Sequence, residues 1–289
     1  MMHSSVDEFL ANAPQTVKTG PLALVFVEDN IEVATTLRHH LQQGFQTVVA
    51  LMPDDFALPY DIETQVHRVS HPKTDRRQVT ETLNKVIEAS TPGCWVYYCF
   101  NAEYLFFPFC ETRSIGDMLR FHTEERRKSM LTYVIDLYAQ DLGDHPNGVS
   151  LETAHLDKSG YFAQARIAPE TGHPLERQLE FYGGIRWRYE EHIPEFSRRI
   201  DRVSLFRTKQ GLKHLEDHRF NLEEYNTYAC PWHNNLTAAI CSFRTTKALK
   251  RNPGSSFEIP SFYWQNSIAF QWNSRQLMDL GLIEPGQWF

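Results

Sequence analysis

Trp95-Val-Tyr-Tyr-Cys-Phe-Asn-Ala-Glu103-Tyr-Leu-Phe-Phe-Pro108 is the stretch on which the fold turns. Cys94 to Cys99 is a continuous apolar run, short enough for a strand and rich in aromatic and β-branched residues. An unbroken run of this kind describes a strand buried on both faces, as in a parallel sheet. The chain then meets a carboxylate, Glu103, and stops at a proline. Ligands of open α/β sheets gather at the carboxyl ends of the strands, so an acid at this position marks a candidate site.

The segments on either side repeat the pattern. Leu22 to Val27 (LALVFV) is a short apolar run between Gly20-Pro21 and Glu28-Asp29-Asn30, and Ile31, Ala34, Leu37 and Leu41 follow at helical spacing up to Gly44. Thr47 to Met52 (TVVALM) reads as a second strand ending at Pro53-Asp54-Asp55, and Val66 to Val69 as a third. Asp75 to Ala89 places Val79, Leu83 and Val86 on one helical face. Ser114 to Lys128 reads as a helix capped by Ser114 with Asp117 in its first turn. Met130 to Leu137 is a further strand reaching Asp136-Leu-Tyr138. Strands alternating with helices imply a mainly parallel sheet with right-handed crossovers and helices on both faces. From Leu151 to Gly211 no such alternation is visible, and the C-terminal half is expected to be less regular.

The chain has 289 residues, 42% of them hydrophobic, enough for one large α/β domain. A net charge of -7 argues against nonspecific nucleic-acid binding. It also means that a phosphate ligand would need a local basic patch. The opening residues Met1 to Glu8 have neither a positive segment nor a long apolar run, so no signal peptide is expected. No stretch approaches the length of a membrane span. The five cysteines form no CxxC pair, which argues against a zinc site or a disulfide frame. A reducing cytoplasm is the simplest expectation.

There is no GxGxxG after the first strand, no GxxxxGK[ST] loop and no GxSxG elbow. What remains is a set of acids at strand ends: Glu28-Asp29, Asp54-Asp55, Glu103 and Asp136. They could hold a ribose or base edge, bind a metal or deprotonate a hydroxyl. Alternatively, they are polar because strand ends meet water and cap the next helix. His39 and His40 are expected on a helix surface. His233 has no second histidine at ligand spacing and so does not make a metal site. Trp232, Trp264, Trp272 and Trp288 read as core more readily than as a sugar-stacking platform.

The order of these features resembles the glycosyltransferase family 2-like proteins of GT-A fold, in the bacterial subgroup with a vDxDEFLvYP-type motif. The similarity runs over about Leu22 to Lys250. Glu28 with the following helix and Gly44-Phe45 resembles the subgroup's opening. Trp95 to Pro108 resembles its motif strand and Cys110-Glu-Thr-Arg-Ser114 the segment after it. Asp136-Leu-Tyr138 resembles its DMY element, Gly183-Gly-Ile-Arg-Trp-Arg188 its GGxRxR element, and His218 a later histidine. The resemblance divides the chain into an N-terminal extension (1–20), a GT-A-like domain (21–250) and a C-terminal packing tail (251–289).

Aligned on Pro108, Phe100 and Ala102 stand where the family has two aspartates, with Glu103 on the glutamate that follows. An alignment shifted by one would instead put Asn101 and Glu103 on the motif. Ile240-Cys-Ser-Phe-Arg244 falls on the family's LLHFK, leaving Ser242 at the histidine position. The usual divalent-metal ligands are therefore missing, and no metal residues are assigned. The resemblance implies transfer of a sugar from a nucleotide-sugar donor to a glycan or other hydroxyl acceptor. It implies Asp136 as base, Glu103 and His218 as further catalytic residues, and Glu28, Asp54 and Asp55 near the nucleoside. Arg186, Arg188 and Arg244 would meet the diphosphate in place of a metal. The rival expectation is a non-catalytic glycan- or partner-binding protein that kept the fold.

Overall fold

The computed structural model describes residues 1–12, 19–72, 74–228 and 235–288. The chain divides into two compact units. The first comprises Met1–Tyr104, Thr112–Leu131 and Val203–Asn226, and the second Leu105–Glu111, Thr132–Arg202 and Thr227–Phe289.

In the first unit the strands lie in the order Met2–His3, His67–Ser70, Thr47–Met52, Leu22–Phe26, Trp95–Phe100, every neighbouring pair parallel. Leu205–Arg207, in the strand Asp201–Arg207, then runs antiparallel to Trp95–Tyr97. Every residue of Leu22–Phe26, Thr47–Met52 and Trp95–Phe100 is buried, which is why these segments read as unbroken apolar runs. Side chains alternate across the sheet. On one face Leu24, Val96, Tyr98 and Phe100 pack with Val79, Leu83 and Val86 of the helix Arg76–Ala89. On the other, the His40 ring from the helix Val33–Gln42 stacks on Tyr97 at 5.2 Å. Helices thus cover both faces. Asp75 accepts from the Gln78 amide as N-cap, and Ser114 forms a capping box with Asp117 ahead of the helix Ile115–Glu124.

His40 is a correction to the sequence reading: it is fully buried, not a surface residue. Its Nδ1 lies 2.8 Å from the Thr36 carbonyl, and burial pushes its pKa down to about 3, so the ring stays neutral. Val33, Thr36, Leu37 and His40 form the buried face of this helix, and two of those four are polar, a composition that disguised the histidine.

In the second unit Ala238–Ser242 runs parallel to Thr132–Asp136, with Ser242 opposite Asp136. A three-stranded antiparallel sheet joins Tyr138–Ala139, Ala154–Asp157 and Ser267–Ala269. Phe162–Ile167 and Pro174–Tyr182 form an antiparallel hairpin. Its first strand is mostly exposed and its second mostly half-buried, and the two residues they bury, Arg166 and Gln178, are polar, so burial does not follow the apolar residues, and the sequence left the region without elements. Tyr138, Ile185, Ile193, Leu249, Ile259 and Phe262 make a core cluster. The chain's last part packs here: Asn273 caps the helix Ser274–Asp279, and Trp288 is buried. No described helix is long and apolar enough to cross a membrane.

Candidate functional site

The quoted stretch forms two strands, Trp95–Phe100 and Glu103–Phe106, joined at Asn101-Ala102. Ala102 takes a left-handed φ of 62°, a conformation that costs a non-glycine residue about 1 kcal/mol or more. The turn is held on both sides. The Ala102 amide donates to Thr36 Oγ1 at 2.8 Å, and the Phe100 amide to Glu103 Oε2 at 2.9 Å. Asn101 ties this turn to the first strand end. Its Oδ1 accepts from the Glu28 amide, and its Nδ2 donates to Asp29 Oδ1 at 2.7 Å and to the Ile31 carbonyl at 2.8 Å.

Within the first unit the parallel strands ending at Phe26, Met52, Ser70 and Phe100 present one carboxyl edge. Glu28 lies there half-buried, and Asp54 and Asp55 are exposed. Asp54 accepts from Ser70 Oγ at 3.0 Å, while Arg68 donates to its backbone carbonyl at 2.7 Å. Thr74 Oγ1 donates to the Val27 carbonyl. Glu103 differs from these acids in having no exposed surface at all. His218 contributes Nδ1 to a 2.9 Å hydrogen bond with the Tyr98 hydroxyl, which also meets His214 Nε2.

The donor set does not fit a divalent ion at the motif. Phe100 and Ala102 offer no ligand atoms, and the Glu103 carboxylate is sealed under the turn that it caps. Among the described residues no group of three or more histidines, cysteines, aspartates or glutamates could hold a metal.

The second unit contains a buried network of opposite charges. Arg186 Nε lies 3.3 Å from both Asp136 oxygens, and its Nη1 donates to the Arg199 carbonyl at 2.8 Å. Thr245 also hydrogen-bonds Asp136. Burial raises the Asp136 pKa, against the lowering effect of Arg186. Asp157 takes Arg188 Nε at 2.8 Å, the Tyr138 hydroxyl at 2.5 Å and Trp264 Nε1 at 2.7 Å. The Arg188 guanidinium also lies 4.8 Å from the Trp264 ring centroid and 5.2 Å from that of Tyr189, close enough for cation–π attraction. The elements resembling DMY and GGxRxR are therefore parts of one structure.

The first glycine of the pair, Gly183, has a steric reason. A Cβ on Gly183, at φ 149°, would run into the Tyr161 ring and lie 2.8 Å from the Gly160 carbonyl oxygen. Tyr161 thus lies against backbone that only glycine leaves open. Its hydroxyl is buried without a hydrogen-bond partner, and burial, followed by the charges of Asp157 and Asp136, raises its pKa strongly.

Asp157 of this network, and Tyr161 against Gly183, were not singled out from sequence. Ala154-His-Leu-Asp157 carries the same signature as the other strand ends, an apolar segment closing on an acid, but it falls where no alternation was visible. Arg244 is half-exposed at the start of the helix Arg244–Arg251, and its amide donates to the buried Ser242 hydroxyl. The tryptophans described are anchored by the fold: Trp264 on Asp157, Trp272 on the Leu151 carbonyl, and Trp288 beside Phe107. Trp232 and His233 lie outside the described residues. Cys94, Cys99, Cys110 and Cys241 are free thiols.

No protein-family model matches the chain, and no curated protein matches it.

Proposed function

We propose that this chain is a GT-A-like glycosyltransferase that moves a sugar from a nucleotide-sugar donor to the hydroxyl of a glycan or similar acceptor, without a carboxylate-held metal. The observation that supports this most is that the two segments meet twice, Asp136 pairing with Arg186, and Tyr138 sharing Asp157 with an Arg188 guanidinium 5.7 Å from its ring. Two short segments some fifty residues apart, each resembling one family motif, have a common structural purpose.

By the resemblance, Glu28, Asp54 and Asp55, at the carboxyl edge of the first unit's parallel strands, are the nucleoside-binding residues. Asp136 is the base, taking the acceptor proton as the acceptor oxygen bonds to the anomeric carbon. The bond from that carbon to the phosphate oxygen breaks, and its electron pair leaves with the diphosphate. Arg186 favours the ionised form of Asp136 against its burial. Arg244, half-exposed, is the cation proposed for the departing diphosphate, since Arg186 and Arg188 already face buried aspartates. Glu103 and His218 support this arrangement by fixing the motif turn and the Tyr98 hydroxyl.

One observation favours a second reading, a non-catalytic glycan- or partner-binding protein. Glu103 is sealed, and Asp136 is held in an internal ion pair. Incubation with uridine, guanosine, thymidine and cytidine nucleotide sugars separates the two. The proposed enzyme releases nucleotide from one class, even with water as acceptor, and Asp136→Asn abolishes release. Binding without release supports the second reading.

A further inference from the structure

The second unit contains a cavity of about 390 Å³ that none of the roles above uses. Five aromatic side chains line it: Tyr133, Tyr161, Phe162, Phe181 and Tyr228. Two of its walls are braced by edge-to-face contacts, Phe181 meeting Tyr133 at 4.8 Å and Tyr228 at 6.4 Å. Such contacts hold the rings in defined orientations before any ligand arrives. An apolar cavity of about 150 Å³ takes one benzene ring. This one therefore has room for a ligand of two or three rings, and it falls within the size range of small-molecule sites.

The charges on the lining restrict the ligand further. Among the described lining residues there is no lysine, arginine or histidine, and the one ionisable acid is Glu284. A phosphate or carboxylate placed here would meet a carboxylate and no cation among the described lining residues. Asn235 and Thr237 are on its polar edge, and Thr237 Oγ1 accepts from the Glu284 amide at 2.8 Å. That bond leaves the threonine hydroxyl hydrogen for an acceptor on the ligand.

We propose that this cavity is a binding site for an uncharged small molecule with a flat body of two or three rings and a hydrogen-bond acceptor at one end. The site is independent of the nucleotide-sugar reading and stands or falls without it. The apolar body lies among the five rings, and the polar end meets Thr237. Ala163, at an exposed hairpin position, forms part of the rim.

The test uses two fluorophores with the same ring skeleton, titrated into the full-length chain. N-phenyl-1-naphthylamine is uncharged, and 8-anilino-1-naphthalenesulfonate adds a sulfonate. The uncharged probe should bind saturably with one site per chain, and the sulfonate at least tenfold more weakly. Ala163→Trp, which fills the rim from an exposed position, should weaken the uncharged probe at least tenfold while leaving the melting temperature unchanged. Ile200→Phe, which intrudes from the wall, provides the second variant should the first fail to fold. Equal binding of both probes, no saturable binding, or binding that survives both substitutions would overturn the proposal.

Discussion

Arg186→Leu should destabilise the protein most at neutral and alkaline pH. Asp136 and Arg186 are 1% and 13% exposed, so the substitution leaves a buried carboxylate without its cation, hydrogen-bonded by Thr245 and near the charge of Asp157. Removing one partner of a buried ion pair costs about 3–5 kcal/mol. The 3.3 Å separations and the slight exposure of Arg186 place this pair at the lower end, about 3 kcal/mol. For a chain of this size that corresponds to a fall of roughly 6–12 °C in Tm. The sign of the pH dependence follows from the raised pKa of Asp136. A carboxyl whose folded pKa lies above its unfolded value contributes stability below the unfolded pKa and loses it as pH rises through the folded one. Loss of Arg186 raises the folded value further, so the difference between variant and wild type should be full at about pH 8 and smaller at about pH 5. Urea unfolding of both proteins at both pH values measures it. Pairing Arg186→Leu with Asp136→Asn should recover most of the loss, because no unpaired charge then remains. A deficit below about 1 kcal/mol at pH 8, or one equal at the two pH values, would refute the reasoning.

Other outcomes follow from the same structure. Gly183→Ala should cost several kcal/mol, on the order of 2–4, because the new Cβ meets Tyr161 and the Gly160 carbonyl; thermal denaturation would show it. Tyr138→Phe should cost about 1–3 kcal/mol by removing one of the donors to buried Asp157, with little change expected if that bond is incidental. Because His40 is held neutral, with a pKa near 3, the unfolded state takes up its proton first as pH falls below about 6.5, and stability drops across that window. His40→Leu should flatten that part of the stability profile, and an unchanged slope would contradict the assignment. Nucleotide release should continue in excess chelator, since the motif turn offers no accessible carboxylate; loss of release on chelation would count against this.

The first-unit sheet was legible because its strands are buried on both faces and so appear as apolar runs, each closed by a polar end. Leu22–Phe26, Thr47–Met52 and Trp95–Phe100 fall within a residue or two of the expected bounds. The cap at Ser114 was readable for a local reason, a side chain meeting an amide three residues on. The hairpin was not, since the residues it buries, Arg166 and Gln178, are polar. Site residues could be named but not their partners. Sequence offered Arg186 and Arg188 as phosphate ligands, and only the fold shows Asp136 and Asp157 opposite them. It also offered Glu103 as a metal or sugar ligand, whereas its carboxylate accepts the Phe100 amide under a left-handed turn. Such pairings depend on crossovers that bring distant segments together, which local periodicity does not encode.

Calorimetric titration with nucleotides and nucleotide sugars, in chelator and then in excess manganese, tests the central claim most directly. The proposed glycosyltransferase binds one nucleotide-sugar class in chelator. Asp54→Ala weakens it by roughly tenfold or more, the loss expected of one charged hydrogen bond, and manganese adds little. Absence of nucleotide binding under both conditions would contradict the claim, as would a manganese-dependent affinity that Glu103→Ala abolishes.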